Sequence, residues 1–186
     1  GFALQPGAYT LKFLTRENET GKIGTFETKF TVPDLNVDQG LLPISSVILS
    51  SQREKMTNAV GSARPEGRLF NFNPLARNGE KLVPSVTRVF RKDQEMYVFL
   101  EAYQPGAQTT QPIVATLGLY RGKVKAFETE ALRVTEGMNP MTKAVPVRFS
   151  FPLAKLEPGM YTCQVSVLNP TSQRFAFWRA PVVLLP

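Results

Sequence analysis

The sequence predicts an all-β chain, a β-sandwich preceded by an additional N-terminal β-hairpin. Three observations carry this. Apolar and polar residues alternate with period two along segment after segment, as they do in half-buried strands. Turn-forming residues interrupt those segments at short intervals, with 13 Gly and 15 Pro in 186 residues. No amphipathic helical pattern of ten or more residues breaks the series.

The elements follow in order. Tyr9-Thr10-Leu11-Lys12-Phe13 and Phe26-Glu27-Thr28-Lys29-Phe30-Thr31-Val32 alternate around a polar stretch, Arg16 to Lys22, that contains Gly21. Two such runs around a Gly-bearing loop read as a hairpin, which Pro33-Asp34 ends. Residues 35–43 read as a linker. Ile44 to Ser50 reads as a strand. Gln52 to Gly67 is polar and unpatterned, with a short helical turn around Glu54 to Val60. Further strands are expected at Arg68–Phe72, Val86–Phe90, Met96–Tyr103, Ile113–Tyr120, Lys123–Glu128 and Pro146–Phe151. A closing hairpin, Met160–Leu168 and Phe175–Leu185, turns at Asn169-Pro170-Thr171-Ser172. The expected units are therefore a hairpin over 1–34, a linker over 35–43 and a sandwich over 44–186.

One motif occurs twice. Leu4-Gln5-Pro6-Gly7-Ala8-Tyr9-Thr10 returns 152 residues later as Leu156-Glu157-Pro158-Gly159-Met160-Tyr161-Thr162, identical at five of seven positions. Leu4 and Leu156 end a segment in the core. Pro6-Gly7 and Pro158-Gly159 make a tight corner, Pro fixing φ and Gly allowing positive φ. Tyr9 and Tyr161 open the next strand, ring inward and hydroxyl turned back to the corner backbone. This is the tyrosine corner of immunoglobulin-like and fibronectin-type sandwiches, which lies just before the last two strands. Residues 1–34 are then either the tail of an upstream sandwich or an extension of the main one. A hairpin alone is marginal, so Tyr9, Phe13, Phe26 and Phe30 are expected to bury somewhere.

Composition excludes several chemistries. With no histidine there is no Ser-His-Asp or Cys-His catalysis, and the single Cys163 cannot form an intrachain disulfide. No apolar run approaches the ~18 residues of a membrane-spanning helix. The net charge of +7 permits an anionic partner. Its densest basic stretch is Arg64, Arg68, Arg77, Lys81, Arg88, Arg91 and Lys92, interrupted by Glu66 and Glu80. The pairs Glu128/Glu130 and Glu17/Glu19 share the spacing of paired catalytic carboxylates, but lie beside turns and read as surface charge. Asp34, Asn36 and Asp38 offer too few oxygens for calcium and read as linker. Ser45-Ser46 and Ser50-Ser51 have no partner base. Cys163 reads as core. Phe70, Phe72, Phe175, Phe177 and Trp178 read mainly as core; Trp178 beside Arg179 is the expected partly exposed ligand contact. No residue is expected to be catalytic, to bind a cofactor or to hold a metal, and no cofactor is expected.

Four segments carry a family resemblance: Leu4-Gln5-Pro6-Gly7-Ala8-Tyr9, Thr20-Gly21-Lys22-Ile23-Gly24, Val32-Pro33-Asp34-Leu35 and Ser45-Ser46-Val47-Ile48-Leu49. Together, over residues 4–52, they resemble the C-terminal β-sandwich region of secreted bacterial von Willebrand factor A-related proteins. The A-type domain itself, with its Asp-x-Ser-x-Ser metal site, is absent from this chain, so metal-dependent adhesion is not carried over. The resemblance implies an accessory segment of an exported protein, whether periplasmic, cell-surface or extracellular.

The expected function is a non-enzymatic interaction module, serving spacing, adhesion or protein–protein contact. It would use sheet edges and loops, or self-associate through the hairpin. The alternatives are a carbohydrate-binding module using Trp178 and nearby Phe rings, and a basic binder of nucleic acid or an anionic surface through residues 64–92.

Overall fold

The computed structural model describes residues 4–35, 40–56 and 73–186, and these are all-β. The chain divides into two compact units, Gly1–Asp38 and Gln39–Pro186. No helix among the described residues is long and apolar enough to cross a membrane. The expected strand at Arg68–Phe72, most of the turn around residues 54–60, and Asn36 and Asp38 lie outside the described residues.

The first unit is one antiparallel hairpin, β1 (Gly7–Arg16) paired with β2 (Ile23–Val32). Cross-strand register puts Tyr9 opposite Phe30, Leu11 opposite Thr28 and Phe13 opposite Phe26 on one face. The other face is mostly polar, with Lys12 paired to Glu27 at 3.1 Å, and carries Leu14 and Ile23 toward the loop end. Gly21 takes φ +69° in the loop, where the Glu17 carbonyl accepts from its amide at 3.0 Å.

The second unit has two principal sheets. One orders β12 (Ala144–Pro152), β8 (Glu95–Tyr103) and β3 (Ile48–Ser50). The other runs β10 (Val124–Glu128), β9 (Ile113–Arg121), β13 (Gly159–Asn169), β14 (Arg174–Leu185) and β7 (Val89–Arg91), with β11 (Leu132–Val134) also paired to β9. The β14–β7 pair is parallel; the other pairs are antiparallel. Alternation sends one row of each strand inward. Met96, Val98 and Leu100, with Val147 and Phe149, meet Leu117, Leu119, Cys163, Val165 and Val182 in one buried cluster. The arrangement is sandwich-like. Each fully buried Leu or Val contributes roughly 1.5–3 kcal/mol relative to exposure, so this double row dominates the stability of the unit.

A third, small sheet orders β4 (Gln52–Lys55), β6 (Glu80–Val83) and β5 (Ala76–Arg77). It corrects the expected helical turn, because Glu54 and Lys55 are strand residues paired with Lys81 and Glu80. Ser50 fixes the corner from β3 into β4. Fully buried, its hydroxyl lies 2.6 Å from the Val83 carbonyl and accepts from the Gln52 amide at 3.0 Å. Those tertiary bonds, rather than an alternating pattern, hold these polar residues extended.

Candidate functional site

Both corners have the same backbone and the same bond. The Tyr161 hydroxyl donates to the Glu157 carbonyl at 2.5 Å, and the Tyr9 hydroxyl donates to the Gln5 carbonyl at 2.8 Å, each four residues back. Gly159 sits at φ +145° and Gly7 at +153°, a region other residues rarely adopt. Leu156 is buried and Leu4 is exposed. The second corner carries an extra clamp. Arg121 on β9 donates to the Glu157 and Pro158 carbonyls at 3.2 and 2.8 Å and to the Tyr161 hydroxyl at 3.1 Å.

The equivalence extends past the corners. With the same 152-residue offset, Tyr9–Phe30 matches Tyr161–Val182, Leu11–Thr28 matches Cys163–Ala180, and Phe13–Phe26 matches Val165–Trp178. In the second unit this row is core. In the hairpin the equivalent row is open, with Phe13 58%, Phe26 61% and Phe30 41% exposed. Tyr9 stacks on Phe30 at 5.7 Å between centroids along this row.

Trp178 and Arg179 are not brought together. Trp178 is half-buried in the inward row and packs against the core, while Arg179 points outward and donates to Gln164 Oε1 at 2.7 Å. Phe175 and Phe177, expected mainly in the core, are instead exposed on the outward row of β14, with centroids 5.2 Å apart and planes tilted by 52°. Two rings at that tilt do not form one flat platform for a sugar ring.

The basic run also separates. Arg64 and Arg68 lie outside the described residues. Arg88 lies 5.9 Å from the Trp178 ring, Arg91 pairs with Asp93 at 3.2 Å, and Lys92 lies 3.9 Å from Glu157. Arg77 and Lys81 instead join two cations from elsewhere in the chain, Arg53 and Arg148, around a cleft of about 280 Å³. Its floor is the outer row of β8 and β12, where Tyr97 is opposite Ser150 and Phe99 opposite Arg148. Its other wall is the small sheet. Arg53 lies over the Tyr97 ring at 4.1 Å and Arg148 over the Phe99 ring at 4.7 Å. Arg148 also donates to the Pro74 carbonyl at 3.2 Å.

The one carboxylate lining the cleft among the described residues is Glu80, 3.8 Å from Arg53. None lies within ion-pair distance of Arg77 or Arg148 among those residues. Burial, and then the charge of Arg77, push the Arg148 guanidinium below its ordinary value, with Glu101 opposing. Beside the cleft, hydrogen bonding to Glu95 and then burial push the Tyr97 phenol up. The sequence hid this site because its cations come from β4, β5, β6 and β12.

The carboxylate pairs stay ordinary: Glu128 accepts from Lys125 at 2.8 Å, and Glu17 bonds Thr20 in the hairpin loop. Ser45 accepts from the Glu101 amide at 2.9 Å, a structural bond. No three His, Cys, Asp or Glu side chains converge among the described residues. No protein-family model and no curated protein matches the chain.

Proposed function

We propose that this chain is a non-enzymatic accessory module of a larger exported bacterial protein, built from immunoglobulin-like sandwiches in tandem. Hairpin 4–35 supplies the last two strands of a preceding sandwich, whose remaining strands come from polypeptide on its N-terminal side. The observation that carries this is the shared register: the open row of the hairpin matches, pair for pair, the buried inner row of β13–β14. A face of that design has a facing sheet as its natural cover.

Strand order supports the immunoglobulin-like type. The sheet β10–β9–β13–β14 corresponds to C′CFG, and β3–β8–β12 to the A, B and E strands of the opposing sheet. Tyr161 sits at the start of the F-equivalent strand, and Cys163 stands two residues later, where antibody domains place the second cysteine of their inter-sheet disulfide. The resemblance over residues 4–52 to von Willebrand factor A-related proteins supplies the exported context. In that setting the module spaces, adheres or contacts protein partners.

Sedimentation velocity on the 186-residue chain tests the reading. With its inner row open, the chain should self-associate as concentration rises, and a Phe13→Lys, Phe30→Lys variant should stay monomeric. A monomer at every concentration, with the hairpin amides protected from hydrogen exchange, would show that the face is already covered and end the proposal.

A further inference from the structure

We propose that the cleft between the β4–β6–β5 sheet and the outer face of β8–β12 is a binding site for a phosphate or sulfate group. The proposal stands apart from the reading of the hairpin. Three guanidiniums, from Arg53, Arg77 and Arg148, line a concave space of about 280 Å³. That volume suits one tetrahedral oxyanion with a small appendage rather than a folded partner. Guanidinium forks match the oxygen geometry of such groups, donating in pairs.

The site is also held in shape before any anion arrives. The Tyr97 and Phe99 rings lie under Arg53 and Arg148, and the Pro74 carbonyl holds one Arg148 nitrogen. The rings come from adjacent outward positions of one strand, and the cations stacked on them come from different elements. Because both rings already carry guanidiniums, the cleft offers no free aromatic face to a neutral sugar. Like charges gathered with one carboxylate among the described lining residues repel one another, and an entering anion relieves that repulsion. Cations gathered in a cleft with perturbed electrostatics are the pattern of a candidate functional site. A continuous nucleic-acid tract is disfavoured, because Arg91 and Lys92 pair with carboxylates elsewhere and Arg88 lies beside Trp178.

Calorimetric titration of the full chain at low ionic strength, with inorganic phosphate and separately with sulfate at a pH where both are dianions, tests this. One saturable site is expected, and the tighter anion assigns the ligand to the phosphate or the sulfate class. Arg148→Gln and Arg77→Gln should each weaken binding about tenfold or more. Glu80→Gln should tighten it several-fold by removing the lining carboxylate. A Lys123→Gln, Arg133→Gln variant, which lowers net charge at exposed positions outside the cleft, should bind like the parent. Trp178 fluorescence checks that each variant is folded, and Arg77→Gln carries the test should Arg148→Gln prove unstable. No saturable heat with either anion, equal loss in the Lys123/Arg133 control, or weaker binding by Glu80→Gln would each overturn the proposal.

Discussion

Replacing Tyr161 with Phe removes one oxygen from the better-clamped corner and leaves the ring in the core. Two bonds are lost: hydroxyl to Glu157 carbonyl at 2.5 Å, and Arg121 guanidinium to hydroxyl at 3.1 Å. Neither partner is left unpaired. Arg121 still donates to the Glu157 and Pro158 carbonyls, so the Glu157 carbonyl keeps a donor. The penalty for an orphaned buried group, about 1–3 kcal/mol, therefore does not apply, and the loss is that of one ordinary net bond and part of a charge-assisted one, since Arg121 Nη2 keeps both carbonyl acceptors. That comes to about 1–2 kcal/mol.

Trp178 is the only tryptophan and sits half-buried on β14, so its fluorescence reports urea unfolding of the second unit. With a urea slope of about 2 kcal/mol/M, the midpoint should fall by about 0.5–1 M. Arg121→Met takes the clamp from the other side, and the double variant should depart from the sum of the singles, because the two side chains share one bond and both donate to the Glu157 carbonyl. A Tyr161→Phe shift below about 0.2 M, or strict additivity with Arg121→Met, would refute the corner as a cooperating unit.

Three further outcomes follow from the same geometry. Gly159→Ala should cost about 1–3 kcal/mol, read by the same urea titration, since its φ is +145° and an added Cβ would lie 3.0 Å from Arg121 Nη2. Asn169→Ala should cost about 2 kcal/mol in that assay; this buried side chain accepts from the Thr171 and Ser172 amides and donates to Gln111 Oε1 at 2.8 Å, and all three lose a partner. Burial pushes the Cys163 thiol from its ordinary 9.0 up to about 12, so a thiol reagent should label it only on unfolding. Because the unfolded thiol ionises first, native stability should fall between about pH 9 and 12, by up to about 1.4 kcal/mol per pH unit. Cys163→Val should flatten that slope relative to the parent, and an unchanged slope would count against the burial.

The parts legible in the sequence are those encoded locally. The corner is a six-residue pattern, and its proline, glycine and phenol each impose one geometric condition. The long strands β8, β9, β13 and β14 are legible because their alternation survives over many residues. The short strands β4, β5 and β6 are not, since Gln-Arg-Glu-Lys and Glu-Lys-Leu-Val carry no clear alternation and hold their shape through Ser50 and cross-strand pairing. The cleft is illegible for the same reason, as Arg53 and Arg148 line one space only after two sheets have formed. Trp178 is a different case. Its own row reads Ala176, Trp178, Ala180, Val182, all apolar, whereas the row of Phe175 and Phe177 contains Arg179. That parity marks Trp178 as inward, against the weight given to its charged neighbour.

The two copies of the hairpin differ in size, and the difference constrains whatever covers the first. Leu11, Phe13 and Phe30 stand where Cys163, Val165 and Val182 stand in the later copy; in this row only Phe26, which stands where Trp178 does, is smaller. The later copy closes against Val98, Leu100, Val147 and Phe149 in one buried cluster. A facing sheet of the same composition would overpack the hairpin, at about 1–3 kcal/mol for each ill-fitting enlargement. The covering layer must therefore present smaller side chains than β8 and β12 do, or sit farther away. A second hairpin placed face to face would set Phe13, Phe26 and Phe30 against their own copies and is the bulkiest cover of all. The association expected of the 186-residue chain should accordingly be weak and quickly reversible, whereas a preceding sheet rich in Ala, Val and Gly would close the same face tightly.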